Sequence, residues 1–149
     1  ATLAGNQPML EAIRAHYAAG KPMLAECGGL MACVEELVDH DGQSHRLLGL
    51  MPGRASMAGR MQALGLQGLD TEQGQLRGHT YHHSRLETDW QPLARTRKLA
   101  GTEAEPVYGR NALVASYFHG YFPSAPELVA GIFRGQAIRP LTDEEPDHA

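Results

Sequence analysis

"GKPMLAECGGLM", residues 20–31, runs from a glycine through a short apolar stretch into a cysteine followed by two glycines. Met23, Leu24 and Ala25 make the kind of brief apolar run used by a strand buried on both faces, and Gly20 suits the end of a preceding helix. After Cys27, "GLMACVEELVDH" reads as a helix ending near His40. A residue at the N-terminal edge of a helix feels unpaired N–H groups and the positive end of the helix dipole, so a thiolate at Cys27 would be stabilised. Gly28 and Gly29 present no side chains to block approach to that sulfur. Strand, small-residue turn and helix together follow the logic of a nucleophile elbow. The competing reading makes Cys27 a small core residue, since free cysteine is among the most buried types. Cys33, six residues on and ~600° around the helix, faces away and reads as packing.

Upstream, "NQPMLEAIRAHYAA" spaces Met9, Ile13 and Tyr17 four apart, with Asn6 placed to cap and Pro8 in the first turn, which predicts an amphipathic helix. Downstream of "DGQSHRLLGLMPG" the character changes to repeated glycines and polar alternation. There "RMQALGLQGLDTE", "QGQLRGHTYHHSRLET" and "ALVASYFHGYF" read as strands, the first two as antiparallel neighbours. "SAPELVAGIFRG" predicts a short terminal helix, with Ser124 and Glu127 in capping-box spacing and Pro126 in the first turn. One α/β domain with a mixed sheet over residues 1–140, followed by a flexible acidic tail at 141–149, is the expected organisation.

Bulk properties narrow the partners. Lys and Arg number 13 against 17 Asp and Glu, a net of -4, with no basic cluster to track a phosphate backbone, so nucleic acid is not an expected partner. Apolar stretches fall far short of the ~20 residues needed to span a bilayer, which predicts a soluble, cytoplasmic protein with no membrane partner. Two cysteines do not make a disulfide framework, so reduced thiols are expected and a catalytic one is admissible. No G-x-x-x-x-G-K-[ST] phosphate loop occurs.

A nucleophilic cysteine needs a base, and His119 in "VASYFHGYF" ends an apolar, strand-like run. In open α/β sheets the chemistry collects at the carboxyl ends of strands, where both "MLAEC" and "VASYFH" deliver their last residue. Taken alone, a strand-end histidine more commonly bonds a loop carbonyl. His79, His82 and His83 raise the question of zinc. In a strand His82 and His83 point to opposite faces, and His79 and His83 lie ~13 Å apart, too far for one metal. No metal site is therefore expected.

"GKPMLAECGGLM", "RGHTYHHSRL" and "ASYFHGYF", taken in order over about Gly5 to Phe133, resemble the class I glutamine amidotransferase-like domain of the cobyrinate and cobyric acid synthase family. The spacer and the "RGH" followed by an aromatic and His favour the cobyrinic acid a,c-diamide synthase branch. The resemblance implies a three-layer, flavodoxin-like α/β domain with a mixed sheet and flanking helices, N-terminally truncated relative to the family. It implies that Cys27 attacks the side-chain amide of glutamine to form a thioester and release ammonia, with His119 as general base and acid. Gly28 would be an oxyanion donor, and Gly29, Tyr81 and His82 would line the site. This domain would need no cofactor. ATP and Mg would serve a partner synthetase domain that activates carboxylates a and c of the corrin substrate.

Three departures from the family stand out. Many class I amidotransferases carry a Glu two residues after the His, whereas this chain has Tyr121, in keeping with the Cys/His dyad of the cobyrinate branch. Glu26, beside the nucleophile, should point the other way from it in a strand. Where family members show "GHEFH", Thr80 takes the place of the acid. The "PGGYPE" loop that precedes the helix at Asn6 in the family, and would supply a further oxyanion donor, is not in the sequence, so an intact pocket with little turnover and association with another copy are expected. Two further readings are a cysteine hydrolase on the same architecture and a catalytically inactive partner-binding domain.

Overall fold

Polar alternation interrupted by glycine is what folds the middle of this chain, since each alternating segment can bury one face only by pairing with others. The structure, a computed structural model, describes residues 2–141. The acidic tail expected at 141–149 lies, from residue 142 onward, outside the described residues. Helices α1 (Thr2–Gly5) and α2 (Gln7–Ala18) come first, then strand β1 (Met23–Glu26) and helix α3 (Gly28–Cys33). Strands β2 (Val34–Val38), β3 (Ser44–Arg46), β4 (Met51–Met57), β5 (Ala63–Thr71), β6 (Gly74–His82) and β7 (Ser84–Glu87) follow. The chain continues with β8 (Ala94–Lys98), β9 (Glu103–Arg110), β10 (Leu113–Ser116), β11 (Phe118–Gly120), a 3-10 turn at Phe122–Ser124 and α4 (Pro126–Phe133).

A seven-stranded mixed sheet has the order β1-β10-β9-β8-β5-β6-β11, and a four-stranded sheet has the order β3-β2-β4-β7. The expected mixed α/β fold is present. Pairing of β1 with β10 is parallel, as is that of β2 with β4, and the remaining ladders are antiparallel. The expected antiparallel pair is β5 with β6, in register from Ala63 opposite His82 to Thr71 opposite Gly74.

One residue, Tyr117, separates β10 from β11, yet these strands sit second and seventh in the sheet order. The sheet must therefore roll, bringing its last strand back beside its first two. Ser116 makes the break: its hydroxyl donates to the Pro106 carbonyl at 2.8 Å and accepts from the Phe118 N–H at 3.1 Å. Two apolar clusters fill the fold. Leu10, Leu30, Cys33, Met51 and Leu113 anchor one beneath α2 and α3, and Leu69, Leu76, Phe118, Leu128 and Ile132 anchor the other beneath α4.

Three local expectations are corrected. The helix after Cys27 stops at Cys33, because Val34–Val38 pairs with both β3 and β4. Glu35 also accepts the Gly53 N–H at 2.9 Å, a bond available only from the strand. On α2, Asn6 does cap, accepting from the Met9 N–H at 3.2 Å, but Leu10 is the buried residue and Met9 is exposed. At α4 no side chain caps the helix. Ser124 instead accepts the Arg77 N–H at 2.8 Å and donates to the Tyr121 carbonyl at 2.7 Å, docking the 3-10 turn on β6.

Candidate active site

Cys27 occupies the elbow with φ 50° and ψ -105°, a conformation that L residues with a Cβ rarely adopt and that costs on the order of 1–3 kcal/mol. Its N–H continues the β1/β10 ladder by donating to the Ser116 carbonyl at 2.8 Å, and its carbonyl accepts from the Met31 N–H at 3.1 Å. The backbone is thus a strand on one side of the α-carbon and a helix on the other. The half-exposed thiol lies 3.9 Å from the Tyr81 carbonyl. Gly28 opens α3, so its N–H has no partner within the helix. A Cβ built on Gly28 would meet nothing within 4 Å, and one on Gly29 would only touch the Ala25 Cβ at 3.5 Å. Packing therefore does not require either glycine, and only Gly28 borders open space.

His119 sits in β11 directly opposite His79 of β6, and the two rings stack at 5.0 Å with an interplanar angle of 11°. β6 therefore touches both halves of the candidate dyad, the thiol through the carbonyl of Tyr81 and the imidazole through the ring of His79. Among the described residues no hydrogen bond joins Cys27 to His119. Tyr121, two residues beyond His119, is exposed and gives its N–H to the Arg77 carbonyl at 2.7 Å. Glu26 points away from the thiol, as strand alternation requires, and its Oε1 accepts the Gly120 N–H at 2.8 Å.

The opposite face of β6 is closed. His82 is 8% exposed; its Nδ1 meets the Ser84 carbonyl at 2.9 Å and its Nε2 meets Glu105 Oε1 at 3.1 Å. Thr80, fully buried, donates to the same Glu105 oxygen at 3.3 Å, so a carboxylate does sit beside position 80, contributed by β9. Burial works against a charged His82, but the bonds to Glu105 and Ser84 and the Glu105 charge outweigh it, and the His82 pKa is raised. The Tyr117 ring stacks on His82 at 3.8 Å and its oxygen accepts from the Ser84 hydroxyl at 2.8 Å. Burial pushes the Tyr117 phenol up to about 12, and the Cys27 charge pushes in the same direction. Cys33, 1% exposed, has its thiol pushed up to about 11 by burial.

The Tyr81 carbonyl thus lies at the Cys27 thiol and Gly28 and Gly29 follow it at the start of α3. Among the described residues His119 is tied to the elbow only through its neighbour Gly120, whose N–H is held by Glu26 beside Cys27, and the His82 ring lies on the closed face of β6. The Tyr81 ring is half-exposed and meets His83 at its hydroxyl, 3.3 Å away. His79, His82 and His83 go to three different partners. Sequence reading missed His79 as a neighbour of His119, and it missed Glu105. Glu105 shares its alternation phase with the buried Val107, which marks an acid that must find a partner. A groove of about 690 Å3 lined by Leu66, Arg77, His79, Lys98, Leu99 and Tyr121, among others, runs along the outer face of the sheet and meets the site only at His79 and Tyr121.

The run expected to end in His119 is broken at Tyr117, so His119 stands in the middle of the separate strand β11 rather than at a strand end. A mixed α/β fold that holds a backbone-strained cysteine at a strand-to-helix elbow defines the class of protein. Residues 1–127 match the CobB/CobQ-like glutamine amidotransferase domain, and the chain belongs to that family. It is 50% identical over 131 residues to the hydrogenobyrinate a,c-diamide synthase of Pseudomonas aeruginosa, covering 87% of this chain and 30% of that protein. It is likewise 50% identical over 133 residues to the enzyme of that name from Stutzerimonas stutzeri, covering 89% and 31%. The cobyrinate a,c-diamide synthase of Herminiimonas arsenicoxydans is 44% identical over 134 residues, again covering 89% and 31%. The chain thus spans about a third of the length of the relatives it matches. Among the described residues no helix is long and apolar enough to cross a membrane.

Proposed function

We propose that this chain is the glutamine-hydrolysing part of an ATP-dependent cobyrinate or hydrogenobyrinate a,c-diamide synthase, with Cys27 as nucleophile and His119 as general base and acid. The observation that carries the reading is the left-handed backbone at Cys27, a strain that a packing cysteine would have no reason to bear. In this scheme His119 takes the thiol proton and the sulfur attacks the amide carbon of glutamine. The resulting oxyanion is met by the Gly28 N–H. Collapse expels ammonia, which carries away the proton from His119, and leaves a glutamyl thioester. A water deprotonated by His119 then attacks that thioester, releasing glutamate and returning the proton to sulfur.

The ammonia would amidate corrin carboxylates a and c in a synthetase part of a longer protein, where ATP and Mg would act. No step assigned to this chain runs through them. The names of the relatives favour the diamide synthase over a cobyric acid synthase.

The test is labelling with a glutamine analogue that carries a diazoketone in place of the amide, followed by peptide mapping. Cys27 should acquire the label, Cys33 should not, and excess glutamine should protect. Labelling of both thiols, of neither, or without protection by glutamine would sink the proposal.

A further inference from the structure

The reading just proposed leaves His119 without the orienting acid that many related sites place two residues later, since Tyr121 stands there. We infer that Glu26 is a positioning residue for His119: its carboxylate, on the residue before the nucleophile, holds the N–H of Gly120, on the residue after the base. The inference rests on the Cys27/His119 assignment and extends it.

Strand geometry requires such a group. Successive N–H groups along a strand point to opposite edges. Tyr121 gives its N–H to β6, through the Arg77 carbonyl at 2.7 Å, so the Gly120 N–H points to the other edge. That edge faces the seam where the rolled sheet returns toward β1, and among the described residues no ladder pairs β1 with β11. Glu26 Oε1 fills the gap at 2.8 Å, linking positions 94 residues apart. The contact is close on all sides: a Cβ at Gly120 would stand 2.9 Å from Leu76 Cδ2 and 3.4 Å from Glu26 Oε1.

A carboxylate accepting a backbone N–H is a short, directional link, stronger than a neutral one. Through it, the position of the His119 backbone along β11 is fixed relative to β1, the strand that ends in the elbow. A shift of about 1 Å in a reacting group can cost a hundredfold in rate, so the link bears directly on whether imidazole and thiol meet. Its action is through backbone geometry and requires reach, with charge secondary. Gln keeps the length and an acceptor oxygen. Asp keeps the charge but retracts the oxygens by about one bond, ~1.5 Å.

The experiment measures the iodoacetamide alkylation rate of Cys27 between about pH 6 and 9 by peptide mapping, on the wild-type chain, His119→Ala, Glu26→Gln and Glu26→Asp. Protection of the buried Cys33 reports that each variant is folded. His119→Ala should lower the neutral-pH rate of Cys27 about tenfold. Glu26→Asp should fall to the His119→Ala curve, and Glu26→Gln should stay within about threefold of wild type. Loss in Glu26→Gln with retention in Glu26→Asp would mean that charge matters and the tether does not, which overturns the inference. So would wild-type rates in both Glu26 variants while His119→Ala is impaired. An unimpaired His119→Ala would instead remove the dyad itself.

An independent check needs no variant. In the wild-type protein the Gly120 N–H, held by Glu26 at 2.8 Å, should be protected from hydrogen exchange, and an unprotected Gly120 amide would also overturn the link.

Discussion

The chain has two cysteines six residues apart and, on β6, His79 and His82, and the fold treats the members of each pair in opposite ways. Cys27 is half-exposed on a left-handed backbone, while Cys33 is 1% exposed at the far end of the same short helix with its thiol pushed up to about 11. His79 stacks on His119 at the site, while His82 is locked between Tyr117 and Glu105. The difference separates two uses of one residue type. The packed members are satisfied and relaxed, whereas among the described residues the open ones carry strain or lack fixed polar partners, which is the state expected of groups that must meet a substrate.

The contrast can be broken or sharpened by substitution. Glu105→Ala should have the largest effect. It leaves His82 and Thr80 buried without their shared acceptor, at a cost of about 3 kcal/mol, read as a lower urea midpoint, and Glu105→Gln should recover most of it. Cys33→Ser places a hydroxyl in an apolar pocket and should cost about 2 kcal/mol in the same measurement. Cys27→Gly should act in the opposite direction, stabilising by about 1 kcal/mol through relief of the left-handed backbone while removing the reactive sulfur. A destabilised Cys27→Gly would show that the elbow is not strained.

The smallest effect is that of pH. The folded pKa of His82 is raised, so the folded state holds the proton more tightly than the unfolded chain does. Its stabilising contribution is full below the ordinary histidine value of about 6.5 and is lost as pH rises through the raised value. Urea midpoints of the wild type should therefore fall between about pH 6 and pH 8 more than those of His82→Gln.

Much of this was legible in the sequence because it is local. The apolar run, cysteine and glycine pair of residues 23–29 specify strand, elbow and helix over a few residues, and Asn6 and Pro8 announce α2. The β5/β6 pair follows from alternation and a short turn. What could not be read depends on distant pairing. Residues 34–38 have a helix-compatible pattern, and it is their pairing with two later segments, antiparallel with β3 and parallel with β4, that makes them a strand. Ser124 has capping spacing, but the Arg77 N–H claims it. Alternation correctly turns Glu26 from the thiol, yet nothing local says that the rolled sheet will deliver Gly120 to it.

That roll has a consequence for how the site can fail. Cys27 lies at the end of the first strand in the sheet order and His119 in the last, so six ladders join the proposed nucleophile to the proposed base along the sheet. A slip of one residue in any of them would turn alternate side chains to the wrong face. The proposed glutamine hydrolysis would then vanish while secondary structure content stayed nearly constant, which would make that activity a more sensitive gauge of strand register than circular dichroism.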